Sequence, residues 1–136
     1  MRTPSALWCH REPLARLTGN PVAEVEALLE LIEDRSCWML GPVDGAWVIR
    51  LVPGPARPGA RLTLFRLDPE AALPAPKALE ECLVLSGRLC DDHGGQFEPG
   101  ERLQREPGDK ALFAGREAEC VCCVVIPGEE ERRAFS

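Results

Sequence analysis

At 136 residues and 14.9 kDa, with 45% hydrophobic and 28% charged residues, the chain has material for one packed domain and too little for two. A net charge of −6 and a pI near 5.0 exclude a nucleic-acid surface, which needs clustered Lys and Arg, and the only lysines are Lys77 and Lys110. Two histidines, His10 and His93, exclude a His-rich metal site; no G-x-S-x-G elbow surrounds Ser5, Ser36, Ser86 or Ser136, and no GK[ST] phosphate loop occurs.

Residues 1–40 read as a helical extension. Met1 to Gly19 alternates charged and apolar residues without a signal-peptide core, and a helical turn is predicted around Glu12–Leu17. Asn20-Pro21 is a start signal in which Asn caps and Pro takes the first helical position, where its missing N–H costs nothing. Val22, Val25, Leu28, Leu29 and Ile32 then recur at helical spacing, with Glu24, Glu26, Glu30 and Glu33 on the other side, predicting an amphipathic helix over 21–34.

After Gly41-Pro42 the pattern changes to strands over residues 41–128. Ala46–Val52 and Arg61–Leu67 are joined by PGPARPG, which continues neither. Glu81–Leu85 is ended by Ser86-Gly87, with Arg88–Cys90 beyond the turn. Gly94-Gly95 and Pro99-Gly100 mark further turns before Arg102–Arg105, Ala111–Phe113 and Cys120–Ile126. Many short strands punctuated by Gly and Pro mean an all-β sandwich or barrel. The last strand, CVCCVVI, is apolar on both faces, so the face turned from the barrel interior needs a cover: the amphipathic helix or a second subunit. Residues 129–136 are expected to be a charged, solvated tail. No apolar run approaches the ~20 residues of a membrane helix. The odd count of seven cysteines fits reduced thiols in a cytoplasm better than a disulfide framework. Arg outnumbers Lys fourteen to two and Ala, Pro and Gly abound, the composition of a high-GC bacterial gene.

From Val43 to Pro127 the chain resembles a cupin, specifically the ChrR-like cupin domain at the C-terminus of zinc-dependent anti-sigma factors. Leu67-Asp68-Pro69 followed by Glu80-Glu81-Cys82-Leu83-Val84-Leu85-Ser86-Gly87 is similar to the family's first motif, with an acidic residue seven positions before a turn glycine. Asp92-His93-Gly94 is similar to the subfamily's D-E-H-G segment, and Gly100 with Glu106-Pro107-Gly108 resembles the second motif. The resemblance implies a small cupin barrel, a double-stranded β-helix or jelly roll, preceded by a helical extension. It also implies metal ligands: an H-x-H pair ahead of the acidic residue and a third histidine after the second motif's glycine. Here those positions fall on Pro74, Pro76 and Ala111, none of which offers a ligating side chain. Only Glu80 remains, so no metal cofactor and no cupin dioxygenase or isomerase chemistry is expected. The zinc-binding H-x3-C-x2-C signature of those anti-sigma factors is missing, so direct sigma-factor inhibition is not implied.

Strand periodicity turns Cys82 and Val84 to the same side as Glu80, and sets Cys120 and Cys122 on one face with Cys123 opposite. Glu80, Cys82 and Cys122 together form a thiolate–carboxylate alternative suited to zinc or Cu(I); otherwise the thiols fill the core as small apolar groups. Cys120 and Cys122 stand roughly 6.6 Å apart along the strand, at the limit of disulfide geometry. Without a metal, an inward Glu80 needs a partner, and Lys77, Arg66 and Arg102 are the candidates; Glu81 replaces it if a bulge intervenes. His93 is expected to be a turn residue, and His10 a surface or packing residue. Three functions follow. The chain is a metal-free, non-enzymatic binding or regulatory cupin with Glu80, Cys82, Cys122, Pro74, Pro76 and Ala111 around a small-molecule cavity; or a homodimeric scaffold; or a thiolate metal or redox sensor. A homodimer is expected, and neither a nucleic acid nor a membrane as partner.

Overall fold

The computed structural model describes residues 6–134; residues 1–5 and 135–136, the outer ends of the first and last predicted segments, lie outside the described residues. A 3-10 turn, Ala6–His10, leads into α1 (Arg11–Thr18). That helix ends at Gly19, whose φ of +73° lets its N–H return to the Ala15 carbonyl at 2.9 Å, and a Cβ there would stand 2.8 Å from the Arg57 nitrogen. Helix α2 spans Val22–Glu33 and buries Val25, Leu28, Leu29 and Ile32, the face predicted by the periodicity. Its cap differs from the expectation. Pro21 is the capping residue, its carbonyl accepting from the N–H groups of Glu24 and Val25, while the Asn20 N–H bonds Thr18 Oγ1. A second 3-10 turn, Arg35–Cys37, follows, and the Trp38 indole donates to the Ile32 carbonyl at 3.0 Å, satisfying an orphan at the helix end.

Ten strands succeed one another: β1 (Met39–Leu40), β2 (Ala46–Leu51), β3 (Arg61–Leu67), β4 (Ala72–Leu73), β5 (Glu80–Ser86), β6 (Leu89–Cys90), β7 (Gln96–Phe97), β8 (Arg102–Arg105), β9 (Leu112–Ala114) and β10 (Cys120–Ile126). Strands β1, β4 and β7 have two residues each, too few to show a period, and were not legible in the sequence. The pairings are antiparallel throughout. One sheet has the order β1-β2-β3-β10-β5-β8 and the other β4-β9-β6-β7. Between β10 and β5 the register shifts at Val121/Cys122, leaving Leu85 as the extra residue of a bulge just before Gly87, where a side chain would run into the Glu119 carbonyl.

Strand β10 lies between β3 and β5 and separates two cores. Cys120, Cys122 and Val124 face the interior between the sheets with Ala46, Leu67, Leu73, Cys82, Val84, Leu89, Leu112 and Ala114. Val121, Cys123 and Val125 face the opposite way, into a second core with Leu14, Leu17, Val25, Leu28, Leu29, Ile32, Leu62, Leu64, Leu83 and Leu85. Helices α1 and α2 are therefore the cover that the two-sided apolar strand required. The C-terminal residues expected to be solvated form a short helix, α3 (Glu129–Ala134), and Arg57 anchors it. The Arg57 guanidinium donates to Glu131 at 3.1 Å, to Glu81 at 2.8 Å and to the Leu17 carbonyl at 3.0 Å, tying α3, β5 and α1 together.

Candidate functional site: a filled barrel and an arginine at its rim

Antiparallel strands put directly opposed residues on the same face of the sheet. Glu80 opposes Arg105 and Cys82 opposes Leu103, so all four point between the sheets, while Glu81 opposes Gln104 on the outer face. Glu80 is thus the inward carboxylate, and Glu81 is the one held by Arg57. The partner of Glu80 is Arg105, only 3% exposed: its Nη1 donates to Glu80 Oε1 at 2.6 Å, and its Nη2 to the carbonyls of Pro74 at 2.9 Å and Lys110 at 3.2 Å. None of the three cations expected from the sequence fills this place. Arg102 opposes Leu83 on the outer face, and Lys77 is exposed. Arg66 is buried on the helix side, 5.2 Å from the Trp38 ring and 5.7 Å from the Trp47 ring. A signal for Arg105 was present in the sequence: in Arg-Leu-Gln-Arg, an inward Leu103 makes Arg105 inward as well. Burial pushes the Glu80 carboxyl above the ordinary carboxylate range, and the Arg105 charge and hydrogen bond draw it part of the way back.

Of the predicted site residues, Pro74, Glu80 and the backbone beside Ala111 converge on Arg105, while Pro76 is buried nearby in sequence. Cys82 and Cys122 lie within the barrel, in the same apolar core as Cys120. The structure does not join Glu80, Cys82 and Cys122: among the described residues no three such side chains are grouped so as to hold a metal ion. The hydrogen bonds to Cys120 and Cys82, with burial, push the Cys122 thiol well up, and burial does the same to Cys123. Leu67, Leu73, Cys82, Val84, Leu89, Cys120 and Cys122 are each at most 1% exposed, so no water-sized space borders these side chains, while Phe65, Phe97 and Leu103 at the edge of the same core are partly exposed. The donor set does not fit a cupin metal, because the positions of the resemblance's three histidines hold Pro74, Pro76 and Ala111 and the remaining carboxylate is engaged by Arg105. His93 is an exposed turn residue, its N–H bonded to Asp91 Oδ1 at 2.9 Å, and His10 is buried at the start of α1.

The thiols give a direct check. A thiol reagent is expected to label Cys9, Cys37 and Cys90 in the folded protein, and Cys82, Cys120, Cys122 and Cys123 only after denaturation. Mass mapping that finds Cys122 modified under native conditions contradicts the packed interior.

Outside the barrel there is a groove of about 350 Å³ between α2 and the end of β2. Val25, Leu28, Leu31, Leu51, Val52 and Pro53 line it, with Asn20 and Glu24 as polar groups.

No protein-family model and no curated protein matches the sequence. Solved structures do match. A chain of Rhodobacter sphaeroides SigE in complex with the anti-sigma ChrR aligns with a TM-score of 0.57 and 23% identity over 83% of this chain, which spans only 54% of that one. The polyketide cyclase RemF from Streptomyces resistomycificus aligns at 0.52 and 23%, covering 69% of this chain and 76% of that one. An RmlC-like cupin protein from Ralstonia eutropha aligns at 0.51 and 14%, covering 67% and 62%. These likenesses agree with the resemblance carried by the motifs: the chain has the cupin fold.

Proposed function

We propose that this chain is a metal-free cupin that acts as a binding or regulatory module through its outer surface and not as an enzyme. The observation that carries this is the rim of the barrel, where Arg105 engages Glu80, the single carboxylate left of the ligand set that the resemblance implies. The metal chemistry of the resembled cupins needs ligating side chains at positions that hold Pro74, Pro76 and Ala111 in this chain. The binding role passes to the groove between α2 and β2, whose apolar walls and few polar groups suit a small apolar ligand or a partner's side chain. A protein partner is also supported by the fold likeness to a chain of a sigma–anti-sigma complex, and a cytoplasmic place agrees with the odd count of seven cysteines.

A homodimeric scaffold is the second reading. Its original motive, an uncovered face of β10, is met by α1 and α2, but Met39 and Leu40 on the edge strand β1 are 68% and 79% exposed. One experiment addresses both readings. The purified protein is incubated with Mn²⁺, Fe²⁺, Ni²⁺ or Zn²⁺, desalted, and taken to elemental analysis and light scattering. Far less than one metal per chain is expected, and a stoichiometric metal overturns the metal-free reading. A dimer mass supports the scaffold, and a strict monomer removes it.

A further inference from the structure

We infer that the Arg105 guanidinium is this barrel's resident cation, a tethered group bonded to Glu80, the one residue left of the ligand set that the resemblance implies. The inference rests on the metal-free reading above and adds which group supplies the positive charge beside Glu80 and how it is held.

The oxygens around Arg105 come from three separate segments: the Glu80 carboxylate on β5, the Pro74 carbonyl between β4 and β5, and the Lys110 carbonyl between β8 and β9. They form an oxygen-only set with a single negative charge, built to receive a positive group and offering no nitrogen or sulfur ligand. A guanidinium answers it fully, since its planar fork points one nitrogen at the carboxylate and the other at two carbonyls. Proline at position 74 suits this role, because it has no N–H but keeps its carbonyl. Strands β5 and β8 belong to the six-stranded sheet, and β4 and β9 to the four-stranded one, so the contacts pin the two sheets together at one end of the barrel. A bound metal ion gathers ligands from separate strands in the same way. Of the three positions where the resemblance implies histidines, Pro74 gives its carbonyl to Arg105 and Ala111 follows Lys110, whose carbonyl does the same, while Pro76 is two residues beyond Pro74.

Chemical rescue tests this. Arg105→Ala is expected to lower the melting temperature by about 10 °C. Methylguanidinium at millimolar concentration is expected to restore part of that loss, whereas methylammonium, with equal charge and no fork, restores little. Wild type, in which the place is taken, is expected to show no gain from either, and neither is Glu80→Ala/Arg105→Ala, which lacks the carboxylate. If Arg105→Ala does not fold, its soluble refolding yield with each cation is the readout. Arg105→Lys, retaining charge without the fork, is then expected to fold at lower stability and to gain nothing from methylguanidinium. Equal effects of both cations on Arg105→Ala, or an equal gain in wild type, overturn the inference and leave the metal-free reading untouched. That reading fails separately, by a stoichiometric metal in wild type.

Discussion

Glu80→Ala is expected to destabilise the fold by about 3–5 kcal/mol, because it strands the Arg105 charge in a place where that residue is only 3% exposed. The pair itself is another matter. Burial holds the Glu80 carboxyl above its ordinary range despite the guanidinium beside it, so the interaction does not fully offset the cost of removing the charge from water. Replacing both residues, Glu80→Leu/Arg105→Leu, is therefore expected to recover most of the loss. The Pro74 and Lys110 carbonyls lose their partner but sit in partly buried hydrogen bonds that water can replace. Urea midpoints of wild type, Glu80→Leu, Arg105→Leu and the double variant give the coupling directly. A double variant as unstable as the sum of the single ones would show that Glu80 and Arg105 act independently, against the geometry described here.

Leu29→Ala is the second large effect, expected to cost about 2–5 kcal/mol. Leu29 is 1% exposed on the face of α2 in the core shared with Val121, Cys123 and Val125, so truncation leaves a cavity between helix and sheet. Leu31, on the same helix but 43% exposed, is the control, and Leu31→Ala is expected to stay within about 0.5 kcal/mol. Equal midpoints for Leu29→Ala and wild type would mean that α2 is not what covers β10. Together the two variants separate a helical extension integral to the fold from one merely attached to it.

Much of the architecture was legible because it rests on local periodicity. Val25, Leu28, Leu29 and Ile32 could share a face only on a helix, and Arg61–Leu67 and Cys120–Ile126 had the apolar content of strands. Boundaries moved by a residue or so, as at Asn20-Pro21, where both residues are good helix starters and only the carbonyl bonds of Pro21 decide between them. The helical form of the C-terminal segment and its anchor were not legible, because Glu131 is an ordinary acid in the sequence until Arg57, far away along the chain, is brought beside it.

The site divides along the same line. The sequence by itself determined the absences and the faces: Pro74, Pro76 and Ala111 cannot ligate, and Glu80, Cys82 and Val84 share one side of a strand. These follow from side-chain chemistry and a two-residue period, which need no partner strand. Only the tertiary structure decided that Arg105 and not Lys77, Arg66 or Arg102 meets Glu80, that Cys82, Cys120 and Cys122 are fully buried, and that α1 and α2 cover β10. Each depends on which strands become neighbours and in what register, and a one-residue change of register would have turned Arg105 to the outer face.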